Sequence, residues 1–129
     1  MRIYIATPVN GRKEKTLRLK LDMACTRVSA LIKYLRQFQF CDEGTEFVSV
    51  FTFGTPKELE CYEEGAIMGC CVQKVIESDM IVLDDGWESS RGCTIERYVA
   101  MQYGKQIRTI NWFKLQEVLT KIMDKVKEE

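Results

Sequence analysis

The chain has 129 residues, 46% of them hydrophobic and 29% charged, enough for one domain with a substantial core and ordinary for a globular protein. Lys plus Arg and Asp plus Glu both number 19, so the formal net charge is zero. That argues against the basic field of a nucleic-acid polymer binder but leaves room for a local anion site.

In chain order, Arg2–Ala6 (R-I-Y-I-A) reads as a strand, closed by the turn-rich T-P-V-N-G-R with Pro8 and Gly11. Leu17, Leu21, Ala24, Cys25, Val28, Leu31, Ile32 and Leu35 recur at helical spacing and predict a long amphipathic helix with a basic outer face. Glu46–Phe53 alternates and is rich in β-branched and aromatic residues, predicting a second strand. Gly54–Glu64, with Pro56, reads as a polar loop. Met68, Cys71, Val72, Val75 and Ile76 mark a second helix, and Met80–Leu83 a third strand. Gly92–Tyr103 predicts a third helix and Gln106–Ile110 a fourth strand. Asn111 suits the cap of a last helix whose apolar face is Phe113, Leu115, Val118, Leu119, Ile122, Met123 and Val126.

Strands alternating with helices predict an α/β fold with a mostly parallel sheet of four to five strands covered on both faces. Right-handed crossovers make it a Rossmann-like or flavodoxin-like three-layer sandwich, a single domain over 1–129. No apolar run approaches the roughly 20 residues needed to span a bilayer, so no membrane partner is expected. Six cysteines occur without a C-x-x-C and without any histidine, and the strand-like start predicts no N-terminal signal sequence. Reduced thiols and a cytoplasmic location are therefore expected, with no metal and no cofactor.

In such a sheet ligands bind at the carboxyl ends of the strands, left here by the loops Thr7–Arg12, Gly54–Glu64 and Asp84–Arg91. G-x-G-x-x-G and G-x-x-x-x-G-K-[ST] are both absent. The stretch richest in chemistry is I-V-L-D-D-G-W-E-S-S-R-G-C-T-I-E, Ile81–Glu96. Ser89, Ser90 and Gly92 at a helix N-terminus suit an anion, although Ser90 equally suits a plain helix cap. Glu96, one turn in, can reach the cleft as nucleophile or general base, or serve as a first-turn glutamate favoured by the dipole. Asp84 and Asp85 supply carboxylates at a strand end, where a solvated turn is the plainer account of at least one. Trp87 either stacks on a base or anchors its loop. Tyr4, near the end of the first strand, reads by default as a buried tyrosine.

I-Y-I-A-T-P-V-N-G-R and S-D-M-I-V-L-D-D-G-W-E-S-S-R-G-C-T-I-E together resemble the nucleoside 2-deoxyribosyltransferase superfamily, most closely its small uncharacterised, DUF4406-like branch. The likeness runs from Arg2 to Ile110. It implies cleavage of an N-glycosidic bond, with Glu96 as the nucleophile on the anomeric carbon and Tyr4 orienting it. Ser90 matches a position that is aspartate in transferases of free nucleosides and a phosphate-binding serine in hydrolases of nucleoside 5′-monophosphates. Gly92 matches the anion-binding turn, and Gly11 with Arg12 the phosphate-side loop. Thr7, Ser89 and Trp87 complete the expected binding set. One departure is Cys71, standing where the superfamily carries an aspartate that assists protonation of the leaving base; Asp84 and Asp85 are the candidate replacements, Asp85 the preferred one. The implied partner is a nucleotide or nucleoside, and the implied assembly a homodimer or larger homo-oligomer to which Trp112 and Phe113 contribute. The alternatives are a nucleotide-binding module without turnover and a purely structural or interaction protein.

Overall fold

A computed structural model describes residues 1–10 and 12–128. The elements run β1 (Arg2–Ala6), α1 (Leu17–Leu35), β2 (Glu46–Val48), α2 (Pro56–Leu59), α3 (Glu64–Glu77), β3 (Met80–Leu83), α4 (Arg91–Gln102), β4 (Gln106–Thr109) and α5 (Ile110–Glu128), with single 3₁₀ turns at Val50–Thr52 and Trp87–Ser89. The four strands form one all-parallel sheet in the order β2-β1-β3-β4. This is the α/β sandwich of Rossmann or flavodoxin type that the alternation of strands and helices predicts.

Both faces of the sheet are covered, which explains why its central strands are apolar throughout rather than alternating. On one face Ile3, Ile5, Met80 and Val82 pack against α1 (Val28, Leu31, Leu35) and the start of α5 (Ile110, Phe113). On the other, Tyr4, Ala6, Ile81 and Leu83 pack against α3 (Cys71, Val75) and α4 (Cys93, Ala100). Successive residues of β1 and β3 thus feed opposite cores, as the two-residue period of a strand requires.

Three differences from the sequence expectation exceed a one-residue shift. β2 ends at Val48 rather than Phe53 because Ser49 and Thr52 cap each other: Phe51 N–H donates to Ser49 Oγ at 3.1 Å and Ser49 N–H to Thr52 Oγ1 at 3.0 Å. Local side-chain hydrogen bonding overrides the β-like alternation there. The loop at 54–64 contains α2, started by a Thr55–Glu58 capping box with Pro56 in the first turn. α5 begins at Ile110, so Asn111 lies inside the first turn; Thr109 Oγ1 takes the cap role, accepting from Trp112 N–H at 3.2 Å.

Phe113, expected to contribute to an oligomer contact, is instead fully buried against Phe38 and Phe40, while Trp112 is partly exposed. Beyond that first turn the apolar stripe of α5 (Leu115, Val118, Leu119, Ile122, Met123, Val126) is between 45% and 58% exposed. Among the described residues no helix is long and apolar enough to cross a membrane.

Candidate functional site

The chain leaves β1 for α1 toward one side of the sheet and leaves β3 for α4 and β4 toward the other, so the strand order reverses between β1 and β3. The carboxyl ends of strands at such a switch point leave a crevice that helices cannot fill. A cavity of about 190 Å³ opens there, floored by Tyr4, Ile5, Ala6 and Thr7 of β1 and the loop after it. Its inner wall is Cys71 of α3 with Ser90, Gly92, Cys93 and Glu96 at the start of α4. Its outer wall is apolar, built by Leu17, Leu21, Leu59, Tyr62 and Met68. Exposed Leu17, Tyr62 and Glu64 mark the mouth.

Glu96 is the most unusual group in the cavity. It is 6% exposed, and its Oε2 is buried without a hydrogen-bond partner among the described residues. Burial pushes its carboxyl up to about 8, with a hydrogen bond from Tyr4 pulling the other way. Burial therefore favours the protonated form of this carboxyl well above the usual carboxylate range. Tyr4, 1% exposed, is raised well above the usual phenol range, first by burial and then by the Glu96 charge. Two thiols flank the pair: burial, reinforced by the charge of Glu96, pushes both Cys71 and Cys93 up to about 12. Both are thus protonated, apolar neighbours rather than acids or nucleophiles. All six cysteines are free thiols.

Ser90 begins α4, its Oγ accepting from Cys93 N–H at 3.3 Å. The cap uses an acceptor of the hydroxyl and leaves its hydrogen, so capping and ligand contact are compatible. At Gly92 an added Cβ would stand 3.7 Å from Glu96 Oε1 and 3.9 Å from Ser90 Oγ, so any longer side chain would fill the space between those two groups. Thr7 Oγ1, also at the cavity, is likewise buried and without a partner among the described residues.

The remaining expected site residues lie elsewhere. Asp85 is exposed outside the cavity, paired with Arg27 at 3.9 Å and Lys114 at 3.8 Å, so the fold does not bring it to Glu96. Arg12 is committed to its own loop, its Nε donating to Pro8 O at 2.7 Å, and does not line the cavity. Ser89 is exposed and also outside the lining. Trp87 packs against the α3–α4 core with Arg97 stacked over its ring at 5.2 Å, which makes it a loop anchor. Gly11 lies outside the described residues. Sequence reasoning missed the neighbours that matter most. Asp84 is held by Arg27, 57 residues away, and the apolar wall comes from helices whose cavity-facing residues look like ordinary core positions.

An all-parallel α/β domain with a buried, unpartnered carboxyl at its switch point is the class that fold and cavity define. Residues 1–109 match the family described as a domain of unknown function (DUF4406), and the chain belongs to that family. The match ends where β4 ends, so α5 follows the family domain as a further helix. No curated protein matches the chain. Among the described residues no group of His, Cys, Asp and Glu side chains is arranged to hold a metal ion.

Proposed function

We propose that the chain belongs to the nucleoside 2-deoxyribosyltransferase superfamily and cleaves the N-glycosidic bond of a nucleoside 5′-monophosphate, with Glu96 as nucleophile. The observation that carries this is Glu96 itself: a buried carboxyl with a vacant acceptor, facing a cavity at the switch point beside a tyrosine. A carboxyl left in that state costs stability, and such costs are kept where chemistry needs them. In the reaction Glu96, as carboxylate, attacks the anomeric carbon, the C–N bond breaks, and its electron pair leaves with the base. Water or a second base then displaces the carboxylate from the sugar. Tyr4 orients the attacking oxygen. The hydroxyl of Ser90 and the free N–H groups around Gly92 receive the phosphate. The apolar wall of Leu17, Leu21, Leu59 and Met68 takes the base.

A purified sample offered ribo- and deoxyribonucleotides releases free base under this reading, and a Glu96→Ala sample does not. Equal base release from the two samples overturns it.

A second reading, nucleotide binding without turnover, is favoured by one observation. Neither acid expected from the sequence serves Glu96: the Cys71 thiol is pushed up to about 12 and Asp85 is outside the cavity. Tight nucleotide binding by calorimetry with no base released selects it.

We also propose self-association through α5. Trp112, Leu115, Leu119, Ile122 and Val126 follow the alternating three- and four-residue spacing of a coiled-coil seam, a pattern complementary to itself. Leu119→Lys then shifts the sedimentation coefficient to that of a monomer; an unchanged coefficient excludes this interface.

A further inference from the structure

Among the described residues twenty line the cavity, and two of them, Glu64 and Glu96, are acidic. None of the twenty is lysine or arginine. An anionic ligand entering it meets two carboxyls and no cation, and Arg12 is turned away into its own loop. The nearest answer to that imbalance is a cluster spanning the mouth. Arg91 donates from Nη2 to both carboxylate oxygens of Glu64, at 3.0 and 3.3 Å, and Asn10 Nδ2 donates to Glu64 Oε1 at 3.1 Å. The three residues come from the loop after β1, the first turn of α3 and the first turn of α4. Together they bridge the elements that surround the opening.

Arg91 stands between Ser90 and Gly92 in sequence, both of which line the cavity. Its side chain is 75% exposed and that of Glu64 67%, so their pairing is a solvent-facing ion pair of small net strength. A phosphate dianion offers the same planar guanidinium a stronger, charge-assisted partner. The vacant Glu96 Oε2 and Thr7 Oγ1, both buried at this cavity, independently mark it as a place where a ligand completes the hydrogen bonding.

We propose that Asn10, Glu64 and Arg91 form an ion-pair latch across the cavity mouth, and that Arg91 exchanges Glu64 for the phosphate of an incoming nucleoside 5′-monophosphate. Arg91 is then the cation of the phosphate subsite, and Glu64 tunes affinity by competing for it. The inference rests on the nucleotide reading above and adds the residue that separates a nucleotide from its nucleoside.

Calorimetric titration of the full chain with a panel of nucleoside 5′-monophosphates and the matching nucleosides tests it, using wild type, Arg91→Ala and Glu64→Gln. Both residues are exposed, and thermal melts confirm that each variant folds. The native protein binds a monophosphate more tightly than its nucleoside. Arg91→Ala loses that preference, weakening monophosphate binding by about tenfold to a hundredfold while leaving the nucleoside unchanged. Glu64→Gln acts in the opposite direction, tightening monophosphate binding a few-fold, because the competitor for Arg91 is gone. A pair that merely braces the fold would weaken binding from either end. A monophosphate preference that survives in Arg91→Ala, or a Glu64→Gln that weakens both ligands, overturns the latch while leaving the nucleotide reading intact. A native protein that binds neither ligand class overturns both.

Discussion

Two carboxyls lie buried at neighbouring strand and helix ends, Asp84 at 2% exposure and Glu96 at 6%, and the fold treats them in opposite ways. Asp84 is saturated. Arg27 donates to it from Nε at 3.0 and 3.1 Å and from Nη2 at 2.9 Å, and Asp85 N–H adds a bond at 2.8 Å. Glu96 keeps an oxygen without a partner among the described residues and lines a cavity. Depth of burial is the same; completeness of pairing is not. Asp84 ties α1 to the end of β3 and is accounted for by structure alone. Glu96 is not accounted for by pairing among the described residues, and the proposed chemistry centres on it.

The largest expected effect lies on the Glu96 side. Glu96→Gln retains shape but loses the nucleophile, so base release falls by about three orders of magnitude or more, read by chromatography of the released base. Its pH dependence has a definite sign. Because the folded carboxyl is raised from 4.5 to about 8, the folded state holds a proton that the unfolded state has released between those values. Stability from this group is complete below about pH 4.5 and is lost as pH rises toward about 8, at roughly 1.4 kcal/mol per pH unit inside the window. Denaturant midpoints across that range show the slope in wild type and its disappearance in Glu96→Gln. If turnover occurs, kcat/KM rises across the same upper limit, since attack requires the carboxylate.

On the Asp84 side, Arg27→Met strands a buried charge and costs about 3 kcal/mol by urea unfolding, with no direct change to the cavity. An equal loss from Glu96→Gln would erase the contrast between the two carboxyls. The smallest effect belongs to Ser90, whose hydroxyl serves both α4 and the cavity. Ser90→Ala costs about 1 kcal/mol of stability through the lost cap. Ser90→Asp keeps the cap, and its charge moves ligand preference from the monophosphate toward the free nucleoside, as paired titrations would show.

Much of this fold was legible because local and global signals agree in it. β1 and β3 are apolar runs bounded by turns, and their predicted bounds, Arg2–Ala6 and Met80–Leu83, match those observed. Where signals conflicted, the stronger local hydrogen bond prevailed: Ser49 ends β2 early and Thr55 builds α2 inside an expected loop. In the candidate site, Tyr4, Thr7, Ser90, Gly92 and Glu96 converge on the cavity, all adjacent to strand or helix ends that periodicity can locate. Asp85, Arg12, Ser89 and Trp87 are equally close in sequence but point elsewhere. A loop's path depends on the side chains that its residues meet from distant segments.

The sequence by itself determined the alternation of strands and helices, hence a parallel sheet, its switch point and the short list of polar groups near the strand ends. These follow from periodicity, turn chemistry and the handedness of crossovers, which are local properties. Only the tertiary structure decided that Asp84 is paired with Arg27 while a Glu96 oxygen is left without a partner among the described residues, and that Glu64 and Arg91 meet across the mouth. Those outcomes depend on which side chains from remote segments arrive within hydrogen-bonding distance. No pattern along a single chain encodes that distance.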